Sequence, residues 1–489
     1  MSLTRHSIAA CSTARPSVAL AAGVVAALIA VAAATALSWL DSRWVLIALS
    51  AACILLPCAL LAARGRLDIF EPLTWFAVIF LVLWVARPAW DLGHENFIYQ
   101  HRLITHTFTR MLVAGLLAGG GFVIGYHLPA GRSLAARVPR PPEVDPTRVL
   151  TWVGGVLGVV IVAFGLFFVH AHGWRHPGSF FFRSRVWLDQ LAATPAAASK
   201  YFIVSVVLVI PGALLLLLVR AGANPEGRMR RIAHRAALAS IAIFLLYNLA
   251  AGQRHYVGEM LGAIVVFYYL RRGRRPSARG LLVTAVVGLT LAVALLDLRG
   301  VPDLNGNVTP GRWLPWNAPA YLLNGQDTGM APALASEMLV VPSHLHYTDG
   351  ETTVLGPFET LVPRQLWPGK PLPSDQQVLA SVWNGRPCGF RGECDTFSPF
   401  GEPYRDGGLV AVFIFAVLFG VFWRTAWAAY SRHRGSPLAV AAYACLLPFM
   451  VTWMRGDFTL AALEVTAVLT VVLVAWLISL PGKRRAISC

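Results

Sequence analysis

The sequence predicts an all-α polytopic membrane protein, and three observations lead to this class. Hydrophobic residues make up 56% of the chain and charged residues only 13%, whereas about 25% of the residues in ordinary soluble domains are charged. Apolar segments long enough to cross about 30 Å of hydrocarbon as a helix recur along the chain. Basic residues collect in alternate gaps between these segments. Together these features predict a chain that lies mostly in a membrane.

Twelve apolar segments are predicted to be transmembrane helices. Helices 1–9 fall within residues 1–298, and helices 10–12 with a tail fall within 407–489. A polar stretch at 299–406 separates the two groups. The first segment is longer than the apolar core of a cleaved secretory signal, which favours a retained helix. The segments lie near 17–40, 44–63, 69–87, 107–128, 149–171, 202–219, 234–251, 255–270, 280–298, 407–423, 437–454 and 459–480.

The distribution of Lys and Arg predicts the orientation, because cytoplasmic loops retain positive charge. With the amino terminus inside, more than half of the 41 Lys and Arg fall in cytoplasmic segments. We interpret the net charge of +17 as a signal of topology, and basic runs such as 228–231 and 271–275 as anchors at the ends of spans rather than a nucleic-acid site. Both termini are expected in the cytoplasm, with 299–406 as a large extracytoplasmic loop between helices 9 and 10.

Two cysteines, Cys388 and Cys394, lie close together in this loop. An extracytoplasmic compartment permits disulfides, and the short glycine-containing segment between them can bend to the Cα separation that a disulfide needs. We expect the pair to be bridged. No Cys and His spacing typical of a zinc site occurs in the sequence.

The sequence lacks a Gly-rich ATP-binding loop and an Asp-x-Asp pair of the kind that holds a metal against a nucleotide sugar. These absences favour a site without metal or cofactor. Such a site could handle a diphosphate only with fixed cations, and the planar guanidinium of arginine binds phosphate through two N–H groups at once. The candidate cations on the predicted outer face are Arg254, Arg364, Lys370, Arg405 and Arg455.

Carboxylates and a histidine on the same face provide candidate acid and base groups. Glu402 and Asp406 flank Arg405, and Asp457 follows Arg455 across a glycine. A carboxylate that accepts the proton of an attacking hydroxyl assists its reaction, although salt bridges to the adjacent arginines explain the same residues. His255 and Glu259 are spaced i, i+4 and would share one face of a helix, either as functional groups or as a buried pair.

Aromatic residues are dense in the loop, and Trp367 is one of them. Their flat apolar faces with polar edges suit sugar rings, although the same residues also occur in membrane-interface belts. As a set within a polar loop they favour a glycan ligand.

At these residues the sequence resembles the bacterial oligosaccharide repeat unit polymerases, the Wzy-type O-antigen and exopolysaccharide polymerases. Four short motifs between about 250 and 460 carry the resemblance, and this family diverges widely in sequence. They are Gly252-Gln-Arg254 entering a span, Pro363-Arg364 with Trp367-Pro-x-Lys370-Pro371, Phe400-Gly-Glu402 with Gly407-Gly408 opening the next span, and Arg455-Gly-Asp457 between the last two spans.

The resemblance implies a glycosyltransferase of the bacterial inner membrane that joins undecaprenyl-diphosphate-linked oligosaccharides on its outer face. The sugar–diphosphate bond supplies the energy, so no nucleotide is implied. Separate proteins, a flippase and a chain-length regulator, are expected partners in the cell envelope. Arg254, Arg364 and Lys370 would bind the diphosphates with Arg455 as a further cation, and Glu402 or Asp406 would orient or deprotonate the acceptor hydroxyl.

Two other functions remain open at this point. A lipid-linked glycan ligase would use the same cations and topology but a different acceptor. A polysaccharide transporter or flippase would also have about twelve spans, although the sequence shows no inverted repeat or pair of broken helices that marks a midplane site.

Overall fold

The computed structural model of the chain describes residues 42–99, 102–170, 204–220, 227–250, 254–277, 328–362, 398–456 and 458–480, with shorter pieces between them that include 323–325 and 366–367. This part is mostly helical. The helices are α1 (Ser42–Ala63), α2 (Pro72–Gly93, with a π-helical turn at Leu81–Ala86), α3 (Thr105–His127), α4 (Pro129–Arg137), α5 (Pro146–His170), α6 (Val209–Arg220), α7 (Gly227–Ala250), α8 (Arg254–Arg272), α9 (Met330–Glu337), α10 (Gly356–Leu361, after a π-helical turn at Glu351–Leu355), α11 (Gly401–Arg432), α12 (Pro437–Leu446), α13 (Phe449–Arg455) and α14 (Phe458–Ile478). Strands β1 (Ile98–Tyr99) and β2 (Arg102–Leu103) form a small antiparallel hairpin.

Eight helices in the described part of the chain are long and apolar enough to cross a membrane. They are α1, α2, α3, α5, α7, α11, α12 joined with α13, and α14, and each coincides with a predicted span. The chain is therefore a helical, multi-pass membrane protein, as its composition predicts. Hydropathy locates these helices because an apolar segment in lipid has no water to bond its backbone polar groups. It must satisfy these groups within itself, as a helix does.

The other four predicted spans are not among these eight helices. The span at 202–219 coincides with a shorter apolar helical stretch, Val204–Val219. The span at 255–270 is helical as α8, but α8 carries several charged residues within its 19 residues and is not among the eight. The spans at 17–40 and 280–298 lie wholly or almost wholly outside the described residues.

The predicted loop 299–406 differs from the structure at two places. The whole of α9 is buried within the bundle, where it packs against α3 and accepts a hydrogen bond at the Ala335 carbonyl from Thr107 Oγ1 at 2.7 Å. In addition, α11 begins at Gly401, ahead of the boundary predicted at 407. Residues 330–337 form a short apolar run inside a polar stretch, and residues 401–406 are polar, so neither segment was predicted as part of a span.

The central contact of the bundle is a close approach of α3 and α11. A Cβ at Gly125 would lie 1.9 Å from the Val417 carbonyl oxygen, and a Cβ at Gly420 would lie 2.2 Å from the Phe122 carbonyl oxygen. Both positions therefore require glycine. In a membrane, where the hydrophobic effect does not drive helices together, such small residues allow close backbone packing.

Polar contacts join the helix ends at both sides of the bundle. At one end, which we call the arginine end, Arg424 Nη1 lies 3.4 Å from Glu71 Oε1, and Tyr126 Oη donates to the same Glu71 oxygen at 2.7 Å. Arg275 also forms an ion pair with Asp68 there. These contacts tie α2, α3 and α11 together, and they tie the chain after α8 to the chain before α2.

The opposite end, which we call the loop end, contains a buried ion pair. Arg87 Nε lies 2.8 Å from Asp91 Oδ2, and both side chains are 1% exposed. Arg87 Nη1 also donates to the Gly325 carbonyl at 3.3 Å, and Trp90 Nε1 donates to Asn324 Oδ1 at 2.8 Å. The end of α2 thereby holds the chain that leads into α9.

Breaking the Arg87–Asp91 pair is expected to destabilise the protein strongly. The substitution Asp91→Asn leaves a buried guanidinium without its counter-charge, which costs about 3–5 kcal/mol. The matched control is Asp145→Asn, because Asp145 pairs with Arg148 at the surface, where the two side chains are 40% and 54% exposed. An exposed pair contributes only about 0–1 kcal/mol. The free energies of unfolding of both variants, measured in detergent, test this prediction. Equal losses of stability in the two variants would contradict the structural role assigned to Arg87.

The packing of α3 against α11 gives a second prediction. Gly125→Ala is expected to cost about 1–3 kcal/mol or more, because the new methyl group overlaps the backbone of α11. Gly120→Ala on the same helix is the control, since a Cβ there has no neighbour within 4 Å among the described residues. Alanine at that position should be neutral or stabilising through helix propensity. Thermal unfolding of both variants tests this, and a stable Gly125→Ala protein would refute the close contact.

Candidate functional site

The candidate site lies at the loop end and starts from a break in α11. Gly407 and Gly408 have non-helical backbone angles, which separate the short segment Gly401–Asp406 from the long remainder of the helix. Gly408 has a φ of +66°, and a Cβ there would lie 3.0 Å from the Tyr347 hydroxyl. Only glycine adopts this backbone conformation readily. The paired glycines of the sequence motif therefore produce the break.

A turn of the chain at 348–353 satisfies the backbone groups next to this break. The N–H of Thr348 donates to the Arg405 carbonyl at 3.0 Å, and the N–H of Asp349 donates to the Asp406 carbonyl at 3.0 Å. Asp349 and Gly350 reverse the chain direction with φ values of +50° and +97°. The break in α11 and the turn are thus parts of one arrangement.

Asp406 holds this turn in place. Its Oδ1 accepts from Thr348 Oγ1 at 2.6 Å, from Thr352 Oγ1 at 2.6 Å and from the Thr352 N–H at 3.0 Å. Its Oδ2 accepts from the Thr353 N–H at 2.9 Å. The partners that the structure gives Asp406 are therefore threonines of the turn. Both oxygens of this carboxylate have a structural role.

Glu402 joins the same segment to the start of α14. Its side chain is 2% exposed, and Oε2 accepts from the Thr459 N–H at 3.0 Å. Thr459 lies in the first turn of α14, where a carboxylate is favoured because the N–H groups at a helix start carry a partial positive charge. Thr352 Oγ1 donates to the Glu402 carbonyl at 3.1 Å. Glu402 thus lies where α11, the turn and α14 meet.

Glu337 is a further carboxylate of the site that sequence reasoning missed. It ends α9 and is fully buried, and its Oε2 would lie 2.6 Å from a Cβ at Gly401. The signal that could have found it is an apolar run of helix-forming residues, 330–335, ending in a glutamate inside a polar stretch.

Two more buried carboxylates, Glu259 on α8 and Glu464 on α14, lie near this site. Thr452 Oγ1 donates to Glu259 Oε1, and Tyr256 Oη donates to Glu464 Oε1 at 3.0 Å. Glu259 is therefore buried, but its hydrogen bond comes from Thr452 and not from His255, so the predicted pair of His255 and Glu259 is not formed.

The other predicted site residues have the following positions. His255 shares α8 with Glu259, and its ring centroid lies 3.8 Å from that of Tyr256. Arg405 is buried in the segment before the break, and Arg455 is half-buried at the end of α13. Trp367 is exposed. Arg254 begins α8, but its side chain lies outside the described residues, as do Arg364, Lys370, Asp457, Cys388 and Cys394.

This arrangement combines proton-accepting groups with cations in an apolar surrounding. Buried carboxylates from α8, α9, α11 and α14 lie at one end of the bundle, with Arg405 and Arg455 beside them. Within the described ranges, no group of three His, Cys, Asp or Glu side chains could hold a metal ion. Carboxylates are groups that can accept protons, and arginines are groups that can bind anions.

Comparison with known proteins adds no relative to this description. No family model, no curated protein and no solved structure matches the chain. The class that the fold defines is a multi-pass helical membrane protein with a buried polar site at one end of its bundle.

Asp406 gives a prediction specific to this site. In Asp406→Asn the amide nitrogen cannot accept a hydrogen bond, so at least one N–H of Thr352 or Thr353 loses its charged acceptor, a loss of about 1.5–3 kcal/mol. Hydrogen exchange of those two amides should accelerate by about tenfold or more. Asp349→Asn in the same turn is the control, because Asp349 is exposed and asparagine tolerates its positive φ. Unchanged hydrogen exchange of these two amides in Asp406→Asn would show that Asp406 does not hold the turn in place.

Proposed function

We propose that this chain is an oligosaccharide repeat unit polymerase of the bacterial cytoplasmic membrane. It has twelve spans, both termini in the cytoplasm, and residues 299–406 on the outer side. It transfers a glycan from one undecaprenyl-diphosphate carrier to the non-reducing end of a repeat unit on a second carrier. The product is a surface polysaccharide or exopolysaccharide.

The observation that carries this proposal is the convergence of motif segments that are far apart in the sequence. The segment after Gly252-Gln-Arg254 meets α14 through the Tyr256–Glu464 hydrogen bond. The segment Phe400–Gly408 meets the residues after Arg455-Gly-Asp457 through the hydrogen bond of Glu402 with Thr459. Residues in or directly after three of the four motifs that resemble the polymerase family therefore border one site. Functional residues scattered along a chain but gathered by its fold are typical of an active site.

Contacts between chain segments agree with the proposed grouping of segments on the two sides of the membrane. Arg275 pairs with Asp68, Arg432 Nη1 donates to the Ala136 carbonyl at 2.8 Å, and Arg148 Nη1 donates to the Ile478 carbonyl at 3.0 Å. The first two contacts each join two segments that the charge distribution assigns to the cytoplasm, and the third joins such a segment to the end of the last predicted span, 459–480. In the same way, the contact of Trp90 with Asn324 joins two segments assigned to the outside.

In the proposed reaction, the acceptor hydroxyl oxygen bonds to the anomeric carbon of the donor glycan as the bond from that carbon to the carrier diphosphate breaks. The hydroxyl proton passes to a carboxylate, and undecaprenyl diphosphate leaves with the bonding electron pair. Glu402 is the carboxylate assigned to orient or deprotonate the hydroxyl, because Asp406 is committed to the turn.

Fixed cations would neutralise the leaving diphosphate. Arg254, Arg364 and Lys370 are assigned to bind the diphosphates, with Arg405 and Arg455 as further cations. Trp367, which is exposed, and His255 are assigned to the substrate-binding surface. Both fit a site that must hold a sugar chain beside a charged carrier.

The function is tested first by the lipid-linked glycans of cells with and without the protein. Loss of a polymerase leaves single repeat units on carriers in the outer leaflet. Single units that accumulate on the cytoplasmic leaflet would identify a flippase instead. Long polymers that remain on the carrier without attachment would identify a ligase.

The site assignment is tested by Glu402→Gln, which removes the proton acceptor and keeps the side-chain size. Polymer formation should fall by about 10²–10⁴-fold, the usual contribution of a general base, at unchanged protein level. Glu351→Gln is the control, because Glu351 is exposed in the adjacent π-helical turn. Normal polymer in Glu402→Gln would exclude Glu402 as the base.

Arg364→Ala should likewise abolish long polymer.

A further inference from the structure

Arg110 is a charged residue inside an apolar helix at the loop end. It lies in the second turn of α3, a helix of 23 residues that is long and apolar enough to cross a membrane. Its position is about 8 Å along the helix axis from Thr105. An arginine stays charged at any working pH, and a charge within a span is costly unless it has a partner or borders a wet cavity. The location of Arg110 therefore needs an explanation.

The contact of Arg110 is an aromatic ring of the candidate site. Its guanidinium carbon lies 5.3 Å from the ring centroid of Tyr404, a fully buried residue between Glu402 and Arg405. A cation over an aromatic face is attracted by the ring electrons. The side chain of Arg110 is itself exposed. The ring thus holds the guanidinium at the margin of the site while its N–H groups, which lie in the guanidinium plane, stay accessible.

Two other arginines in apolar helices of the bundle have carboxylate partners. Arg87 pairs with Asp91, and Arg424 pairs with Glu71. Across the described ranges, Arg110 takes part in no ion pair. Glu337 and Arg110 both act on the Tyr404 hydroxyl, but Glu337 is fully buried, whereas Arg110 is exposed. The positive charge of Arg110 is available to an external anion.

We propose that Arg110, held against the ring of Tyr404, is a further binding residue for the diphosphate of the lipid-linked substrate. This inference rests on the proposed function. A diphosphate on a polyprenyl chain lies at the membrane surface with its chain in the lipid, which is the depth that the start of α3 would occupy. A planar guanidinium can donate two parallel N–H bonds to phosphate oxygens. Neither the motifs nor the charge distribution pointed to Arg110.

The test measures binding of undecaprenyl diphosphate to the purified full-length protein in lipid nanodiscs. Arg110→Gln should weaken the affinity by about tenfold or more, the effect expected when charged hydrogen bonds are lost. Arg110→Lys keeps the charge without the planar fork and should give an intermediate affinity. The matched control is Arg272→Gln, because Arg272 stacks over Tyr268 at 4.0 Å near the arginine end. This control should bind like the unaltered protein.

The outcomes separate this inference from the proposed function. If the unaltered protein binds undecaprenyl diphosphate and both Arg110 variants bind it as tightly as the unaltered protein does, the inference is wrong and the proposed function stands. If the unaltered protein does not bind it, the proposed function fails, and the inference fails with it. Competition by phosphatidylglycerol as effective as that by undecaprenyl diphosphate would make Arg110 a headgroup anchor and also overturn the inference. Should Arg110→Gln not fold, as judged by gel filtration, the comparison of Arg110→Lys with Arg272→Gln decides.

Discussion

The break of α11 at Gly407 and Gly408 is the constraint on which the loop end depends. A helix that breaks in apolar surroundings must find new partners for its backbone groups. Here the N–H groups of Thr348 and Asp349 provide them. Because the turn is fixed at this point, its threonines reach Asp406. The same segment then holds Glu402 against the start of α14, so the backbone requirement determines where the carboxylates lie.

The pair of helices α3 and α11 determines how precisely this end is positioned. Their backbones touch at Gly125 and Gly420, and Arg424 Nη1 of α11 lies 3.5 Å from the Tyr126 hydroxyl of α3 at the arginine end. At the loop end, the same two helices contribute Arg110 and Tyr404. Contacts at both ends and in the middle leave little freedom for sliding. The separation of Arg110 from Tyr404 is therefore set by packing along the whole helix pair.

The sequence predicts the helices better than the site, and particular residues show why. Hydropathy locates the long apolar helices because each one satisfies its backbone groups within its own segment. Asp406 and its threonines share no sequence pattern, since their contacts form only when the turn meets α11. Glu337 lies in a segment too short to be a span. The i, i+4 spacing of Arg87 and Asp91 favours an ion pair only because α2 continues to Gly93, past the predicted end of the span at 87.

The positions of three buried carboxylates and two less buried cations at the loop end fit the proposed reaction. The carboxylates Glu337, Glu402 and Glu464 are buried, whereas Arg110 is exposed and Arg455 is half-buried. An anionic carrier is repelled by buried carboxylates and attracted by cations at the margin. It would therefore stay at the margin while its glycan extends inward. A hydroxyl of the acceptor glycan would then meet the carboxylates, so the proton and the diphosphate leave toward opposite sides of the site.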